Sequence, residues 1–241
     1  MSLAYEGPHL AAPVGSTGNA THKPVHVGAD YSSVGMQVVV EAVGATPTVT
    51  YKWQGSPDHN PATSVAATLS TAMAGADNDI TLDAVEPGAW GNSITITLTD
   101  PATDTADASV VVTGRAINVT LGYSTAAIDS TATEVVAAIN ASGAASALVT
   151  ASVKSGDDGS GVVTALSATN LASGSDSGNW YDAAFITDAS DTLSVATTAV
   201  TAVGGSLHFT CNPAARRYKA YRLVTTVNTN VTYRGEVYLI D

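Results

Sequence analysis

Five histidines, His9, His22, His26, His59 and His208, are the side chains best suited to moving protons near neutral pH, and 21 Asp and Glu supply carboxylates. General acid–base work needs two such groups converging on one cleft, and nucleophilic catalysis needs a Ser, Cys or Lys beside a base. The spacing offers neither. No Gly-x-Ser-x-Gly, His-Glu-x-x-His or P-loop pattern occurs. His22 and His26 have the separation that stacks two imidazoles on one helix face, but Pro24 between them is incompatible with that helix. The run Ser155-Gly156-Asp157-Asp158-Gly159-Ser160 pairs carboxylates in a Gly-rich loop, as a calcium site would. It lacks the alternating Asp frame and the distal Glu of an EF-hand, so it reads as a solvated hairpin loop. Cys211 is the single cysteine, which excludes an internal disulfide and a thiolate metal cluster and reads as a buried thiol. These residues predict a non-enzymatic protein with no cofactor and no metal.

Two other residue sets could bind rather than catalyse. Arg216, Arg217, Lys219 and Arg222, with Arg234 on the next strand, hold five of the nine positive charges. They predict either a solvated sheet face or an electrostatic contact with an acidic partner surface. Trp53, Trp90 and Trp180 could stack on sugar rings if exposed, or anchor core and turns if not. The whole chain has a net charge of -12. A nucleic-acid-binding surface needs the opposite sign.

The elements that must position these residues are mainly strands. The 241 residues are 45% hydrophobic and only 12% charged, which excludes a charge-rich disordered chain and allows one large domain or two ordinary ones. No apolar run approaches the roughly 20 residues of a membrane helix, and Met1 to Val14 does not read as a secretory signal. Residues 1–30 lack periodic patterning and predict an extended arm. Gly35 to Val43 and Thr48 to Gln54 predict two strands around a Gly44–Pro47 turn, with Val49, Tyr51 and Trp53 on the inner face. Beyond Asp58 the composition shifts to Ala, Thr, Ser, Asp and Gly. Between Asn60 and Asp176 stand two basic and twelve acidic residues, a balance of -10.

Within that acidic segment, Asp79–Ala84, Ser93–Thr99, Ala108–Thr113 and Ala116–Leu121 predict strands, with a hairpin turn at Gly114-Arg115. Thr131-Ala132-Thr133-Glu134 has capping-box spacing and predicts a helix start, with Gly143 placed to end it. Strands at Leu148–Val153 and Val162–Leu166 would complete a small α+β domain with one helix. After Gly178, strands at Leu193–Thr197, Ser206–Cys211, Tyr218–Asn228 and Val231–Ile240 are predicted, the last two as a hairpin across Asn228 to Asn230.

Gln54-Gly55-Ser56-Pro57-Asp58 reads as a strand entering a turn, and Gly178-Asn179-Trp180-Tyr181-Asp182 as a turn returning into a strand. Joined, they resemble a β-sandwich module of tailed-bacteriophage structural proteins, in which a Gln-Gly-Ser-x-Asp turn leads almost directly into Asn-Trp. The run Arg216 to Leu223 resembles that module's aromatic and basic penultimate strand. Val85 to Ile94, with its Gly-x-Trp-Gly-Asn turn, is similar to a turn in tail-sheath proteins and related virion surface domains. The resemblance implies an antiparallel β-sandwich, jelly-roll or Ig-like, formed by 31–58 plus 178–241, with 60–176 as an inserted acidic α+β domain. A hairpin tip is where such an insertion costs least, because its ends are already close.

The function implied is a structural virion protein, most simply a capsid decoration or cement protein. Its partners would be the major capsid protein or other virion subunits and further copies of itself, a trimer being one closed arrangement. Nucleic acid and membrane are not expected partners. A tail-tube or other tail component, or a carbohydrate-binding surface module, are the alternatives.

Overall fold

Alternating Val, Thr and Ile side chains favour extended backbone, and the described residues are accordingly mainly β, with two α-helices and several antiparallel sheets among them. The computed structural model describes residues 18–21, 24–26, 33–104, 107–182, 185–187, 190–194, 206–211 and 218–240. Side-chain surroundings are described for 21, 24, 26, 52–104, 107–182 and 218–225. The fold divides into two units, Met1–Pro61 with Ser177–Asp241, and Ala62–Asp176.

The first unit opens with β1 (Gly18–Thr21), β2 (Val25–His26) and the 24-residue β3 (Ser33–Ser56). The part of the predicted arm that is described therefore forms short strands; the rest of it lies outside the described residues. The two strands predicted around Gly44–Pro47 are one.

In the second unit come β4 (Thr68–Ser70), β5 (Ile80–Ala84), β6 (Thr95–Thr99), β7 (Ser109–Thr113), β8 (Ala116–Thr120), β9 (Tyr123–Ser124) and β10 (Ala127–Ile128). Helix α1 (Ala132–Ala141) follows, then the one-turn α2 (Gly143–Ser146), β11 (Val149–Val153) and β12 (Leu166–Asn170). One sheet has the order β11-β5-β4 and a second β12-β6-β8-β7. All neighbours are antiparallel except β6 and β8, which run parallel because the nine residues after β6 carry the chain past β8 to the far edge.

Period-2 alternation puts Ile80 and Leu82 of β5, Ile96 and Leu98 of β6, Ile117 and Val119 of β8 and Val149 of β11 into one core, with Val135 and Ile139 of α1 against them. The predicted turn is present: Gly114 takes φ 60°, which a two-residue β7–β8 hairpin needs and which suits glycine. The predicted capping box is present as well. Thr131 Oγ1 accepts from the Glu134 N–H at 3.3 Å, and the Glu134 carboxylate accepts from the Thr131 N–H at 2.8 Å.

Two details differ from expectation. Helix α1 stops at Ser142, whose hydroxyl caps the next turn at Ala145 N–H, so Gly143 starts α2 rather than ending α1. The strand predicted at Val162–Leu166 is displaced: Val162 joins no ladder, forming an isolated bridge to Thr131, and the ladder with β6 forms at Leu166–Asn170, where Thr169 and Asn170 meet Ile96 and Thr95.

The chain then returns to the first unit through β13 (Tyr181–Asp182), β14 (Phe185–Thr187), β15 (Ser190–Ser194), β16 (Ser206–Cys211) and the 21-residue β17 (Ala220–Ile240). These join one sheet of order β1-β17-β3-β16-β14-β15, with β13 on β3 and β2 on β17. The strand expected at Leu193–Thr197 ends by Ser194 in its described part. No hairpin forms at Asn228–Asn230. Instead β17 runs antiparallel to β3 over both their lengths, from Ala220↔Ser56 to Ile240↔Ser33. The reason lies in the register. Thr229 sits opposite Thr48 and Val231 opposite Val43, so the Gly44–Pro47 segment and the Asn228–Asn230 segment face each other. Both turn-prone stretches are absorbed where the ladder shifts register on either side of Thr229, and Pro47, with no N–H to donate, is left out of the pairing.

Candidate functional site

The two turn sequences Gln54–Asp58 and Gly178–Asp182 come together in the first unit. On β3 and β17, Trp53 and Leu223 face each other on the buried side, with exposures of 2% and 0%. The alternate positions Lys52, Gln54 and Arg222 lie on the half-exposed side. There Gln54 Oε1 accepts from Arg222 Nε at 3.0 Å and Nη2 at 2.7 Å, while Gln54 Nε2 donates to Asp182 at 3.0 Å. Asp182 also pairs with Lys52 at 2.5 Å. The Lys52 ammonium first, and the Gln54 amide second, hold the Asp182 carboxyl below the usual carboxylate range.

The turn beyond β3 is tied to the turn before β13. Asp58 accepts from the Asn179 backbone N–H at 2.8 Å, from Asn179 Nδ2 at 2.9 Å and from Ser56 Oγ at 3.0 Å. Ser177 Oγ accepts from Asn60 N–H at 3.0 Å and donates to Asn60 O at 2.6 Å. His59 Nδ1 lies 3.0 Å from the Ser177 carbonyl; a carbonyl only accepts, so this nitrogen carries the proton. Gly178, at φ 80°, sits where a Cβ would lie 2.9 Å from Asp58 Oδ1, His59 N and Ser56 Oγ.

An aromatic column stands beside this clamp. His26 of β2 stacks on His59 with centroids 4.7 Å apart, His59 tilts against Trp180 at 5.1 Å, and the Arg222 guanidinium lies 4.2 Å over Trp180. Trp180 Nε1 donates to the Ser177 carbonyl at 3.1 Å. At the end of β3 the Tyr218 ring covers Gly55, where any Cβ would penetrate the ring, and meets Tyr221 edge-on at 5.6 Å.

Comparison of the chain with protein-family models, with curated proteins and with solved structures finds no match. The residues themselves must carry any functional reading.

Of the predicted contact set, Lys219 is exposed and Arg222 is engaged by Gln54 and Trp180. Arg234 pairs with Val39 in the ladder, its side chain outside the described residues, as are Arg216 and Arg217 altogether. Trp53 and Trp90 are buried at 2% and 7% exposure, so neither ring face is open to a sugar. Trp180 is half-buried under Arg222.

In the second unit the Ser155–Ser160 loop is braced by its own contacts. Asp157 accepts from the Asp79 N–H at 3.0 Å, Asp158 from the Ser160 N–H at 2.8 Å, and Lys154 bridges to Asp79 at 2.9 Å. Among the described residues no three His, Cys, Asp or Glu gather as metal ligands. A pocket of about 300 Å³ is lined by Asp107, Asp129, Ser130 and Glu134, but the Glu134 carboxylate is held in the capping box and the Ser130 hydroxyl accepts from Gly122 N–H. No described helix is long and apolar enough to cross a membrane.

Sequence reading picked out Asp58, Asn179 and Trp180 but missed His26, His59 and Gln54 as one cluster with Arg222. The signal was partly there: Gln54 and Arg222 are outward positions of strands whose inward positions are apolar.

The Asn179 N–H chiefly holds Asp58 below the ordinary carboxylate range; partial desolvation opposes it, and the Ser56 hydroxyl and Asn179 Nδ2 add to the lowering. The clamp therefore favours charged Asp58, is fully present above the ordinary Asp pKa, and weakens as pH falls through and below it. The Asn179 amide resonance is expected to shift upfield with acid in that window. Asp58→Ala should remove both the shift and the amide's exchange protection, as an NMR titration would show.

Proposed function

We propose that the protein is a structural component of a tailed-phage virion, a capsid decoration protein built as a β-sandwich with a second domain inserted at a hairpin tip. What carries the reading is the meeting of Gln54 with Asp182 and of Asp58 with Asn179, Ser56 bracing Asp58 and Gly55 pairing with Tyr181. These residues carry the resemblance to the virion module, and Asp58 and its partner Asn179 stand 121 positions apart in the chain.

The incoming and outgoing ends of the second unit are also closed on each other. Val65 bridges Ser175, Thr68 bridges Ala172, and Asn92 of the Trp-Gly-Asn turn bonds Gly174 N–H and O at 2.8 Å each. Each unit therefore fastens its own side of the junction, the arrangement an inserted domain requires. The irregularity shared by β3 and β17 supports the sandwich, because long strands pass from one layer to the other at bulges.

On this reading the near-neutral outer unit attaches and the insert, with its balance of -10, projects and keeps particles mutually repulsive. The test is to mix the purified protein with undecorated capsids. Saturable binding at a fixed copy number per capsid is expected, and absence of binding at every stage of capsid maturation would overturn the assignment.

A further inference from the structure

Val25 and His26 are held on β17 opposite Tyr221 and Ala220, a ladder of two residues. β1 already pairs with β17 up to Thr21↔Val224, and the two further pairs of β2 add little backbone pairing of their own, so whether β2 stays docked turns on what its described side chain meets. His26 meets His59. Beyond His59 lies Trp180, and over Trp180 lies Arg222, so the column runs imidazole, imidazole, indole, guanidinium.

With both imidazoles neutral, the column is three aromatic surfaces ending on one cation. A proton on His26 places a second cation against the ring of His59, a residue only 7% exposed whose Nδ1–H already points at the Ser177 carbonyl. Among the described residues no neighbouring charge offsets it. Asp58 faces Asn179 and Ser56; Asp182 faces Lys52 and Gln54; Lys219, beside Ala220, is a further positive charge. Neither carboxylate is among the described partners of His26 or His59. In sequence, Thr21 to Val27 adds His22 and Lys23 and no acid.

We propose that β2 is a pH-released strap: protonation of His26 against His59 frees Val25–His26 from β17 while the β3–β17 ladder stays formed. His26 keeps an exposed side, and the partial burial of the residue, then the neighbouring His59, pull its pKa below the ordinary histidine value. Docked β2 thus binds fewer protons than released β2. Its docking is fully present above the ordinary histidine pKa and is lost as pH falls through that value toward the lowered one.

Hydrogen–deuterium exchange on the full chain, at about pH 7.5 and about pH 5 and corrected for intrinsic rates, tests this directly. The peptide holding Val25 and His26 is expected to lose protection roughly tenfold at the lower pH, while peptides from the paired centre of β3 and β17 keep theirs. In His26→Gln, whose amide cannot take up the proton, the pH step should vanish. Equal protection of β2 at both pH values would overturn the proposal. So would a step that survives in His26→Gln, or a loss shared equally by β3 and β17.

Discussion

Leu82→Ala is expected to lower the stability of the Ala62–Asp176 unit by about 2–5 kcal/mol. Leu82 is fully buried on the central strand β5, opposite Leu69 of β4 and Ala151 of β11, in the core shared by both sheets and α1. Truncation leaves a cavity that strands held on both sides cannot close. Denaturant unfolding followed by hydrogen exchange reads the result: β5, β6 and β8 should lose protection at lower denaturant, and the β3–β17 ladder should not. Gly143→Ala is the matching control. Its Cβ would meet nothing within 4 Å and its φ is not in the left-handed region, so the change should be neutral or stabilise by about 0.5–1 kcal/mol. A loss of stability comparable to that of Leu82→Ala would contradict the helical placement of Gly143.

Gly178→Ala should act on the other unit. At φ 80° an L side chain is strained by about 1–2 kcal/mol, and the new Cβ would stand 2.9 Å from three atoms of the Ser56–His59 turn. Relieving that contact separates Asp58 from Asn179, so the total expected loss is about 2–4 kcal/mol. The measurement is the same, with the pattern reversed: protection should fall around Gln54, Asn179 and Tyr181 while β5, β6 and β8 keep theirs. Uniform loss in both units, or no loss, would show that the clamp does not hold the first unit's junction.

Legibility in the sequence followed the range of the interactions. Helix α1 and the hairpin at Gly114 were readable because capping boxes and two-residue turns are decided within a few residues. Strands β5 to β8 were readable because alternation reports the buried face locally, although the parallel β6–β8 pairing was not. The long strands β3 and β17 were misread as two pairs. Gly44–Pro47 and Asn228–Asn230 carry ordinary turn chemistry, and only their position opposite each other shows that the ladder continues past them.

The site divides in the same way. Asp58, Asn179 and Trp180 stand in a motif whose halves can be joined by eye. The Arg222–Gln54 bond spans 168 residues, and the His26–His59 stack depends on the register that sets His26 opposite Ala220. No local pattern encodes either contact.

The most direct test of the proposed insertion is to remove Ala62–Asp176, joining Pro61 to Ser177, and to produce 62–176 as a separate chain. Asn60 and Ser177 already hydrogen-bond, so the shortened connection needs little rearrangement. Calorimetry on the two products is expected to show one cooperative unfolding transition each, with the Asn179 amide still protected in the shortened chain. Absence of a cooperative transition in both pieces, when the full chain unfolds cooperatively, would contradict the account.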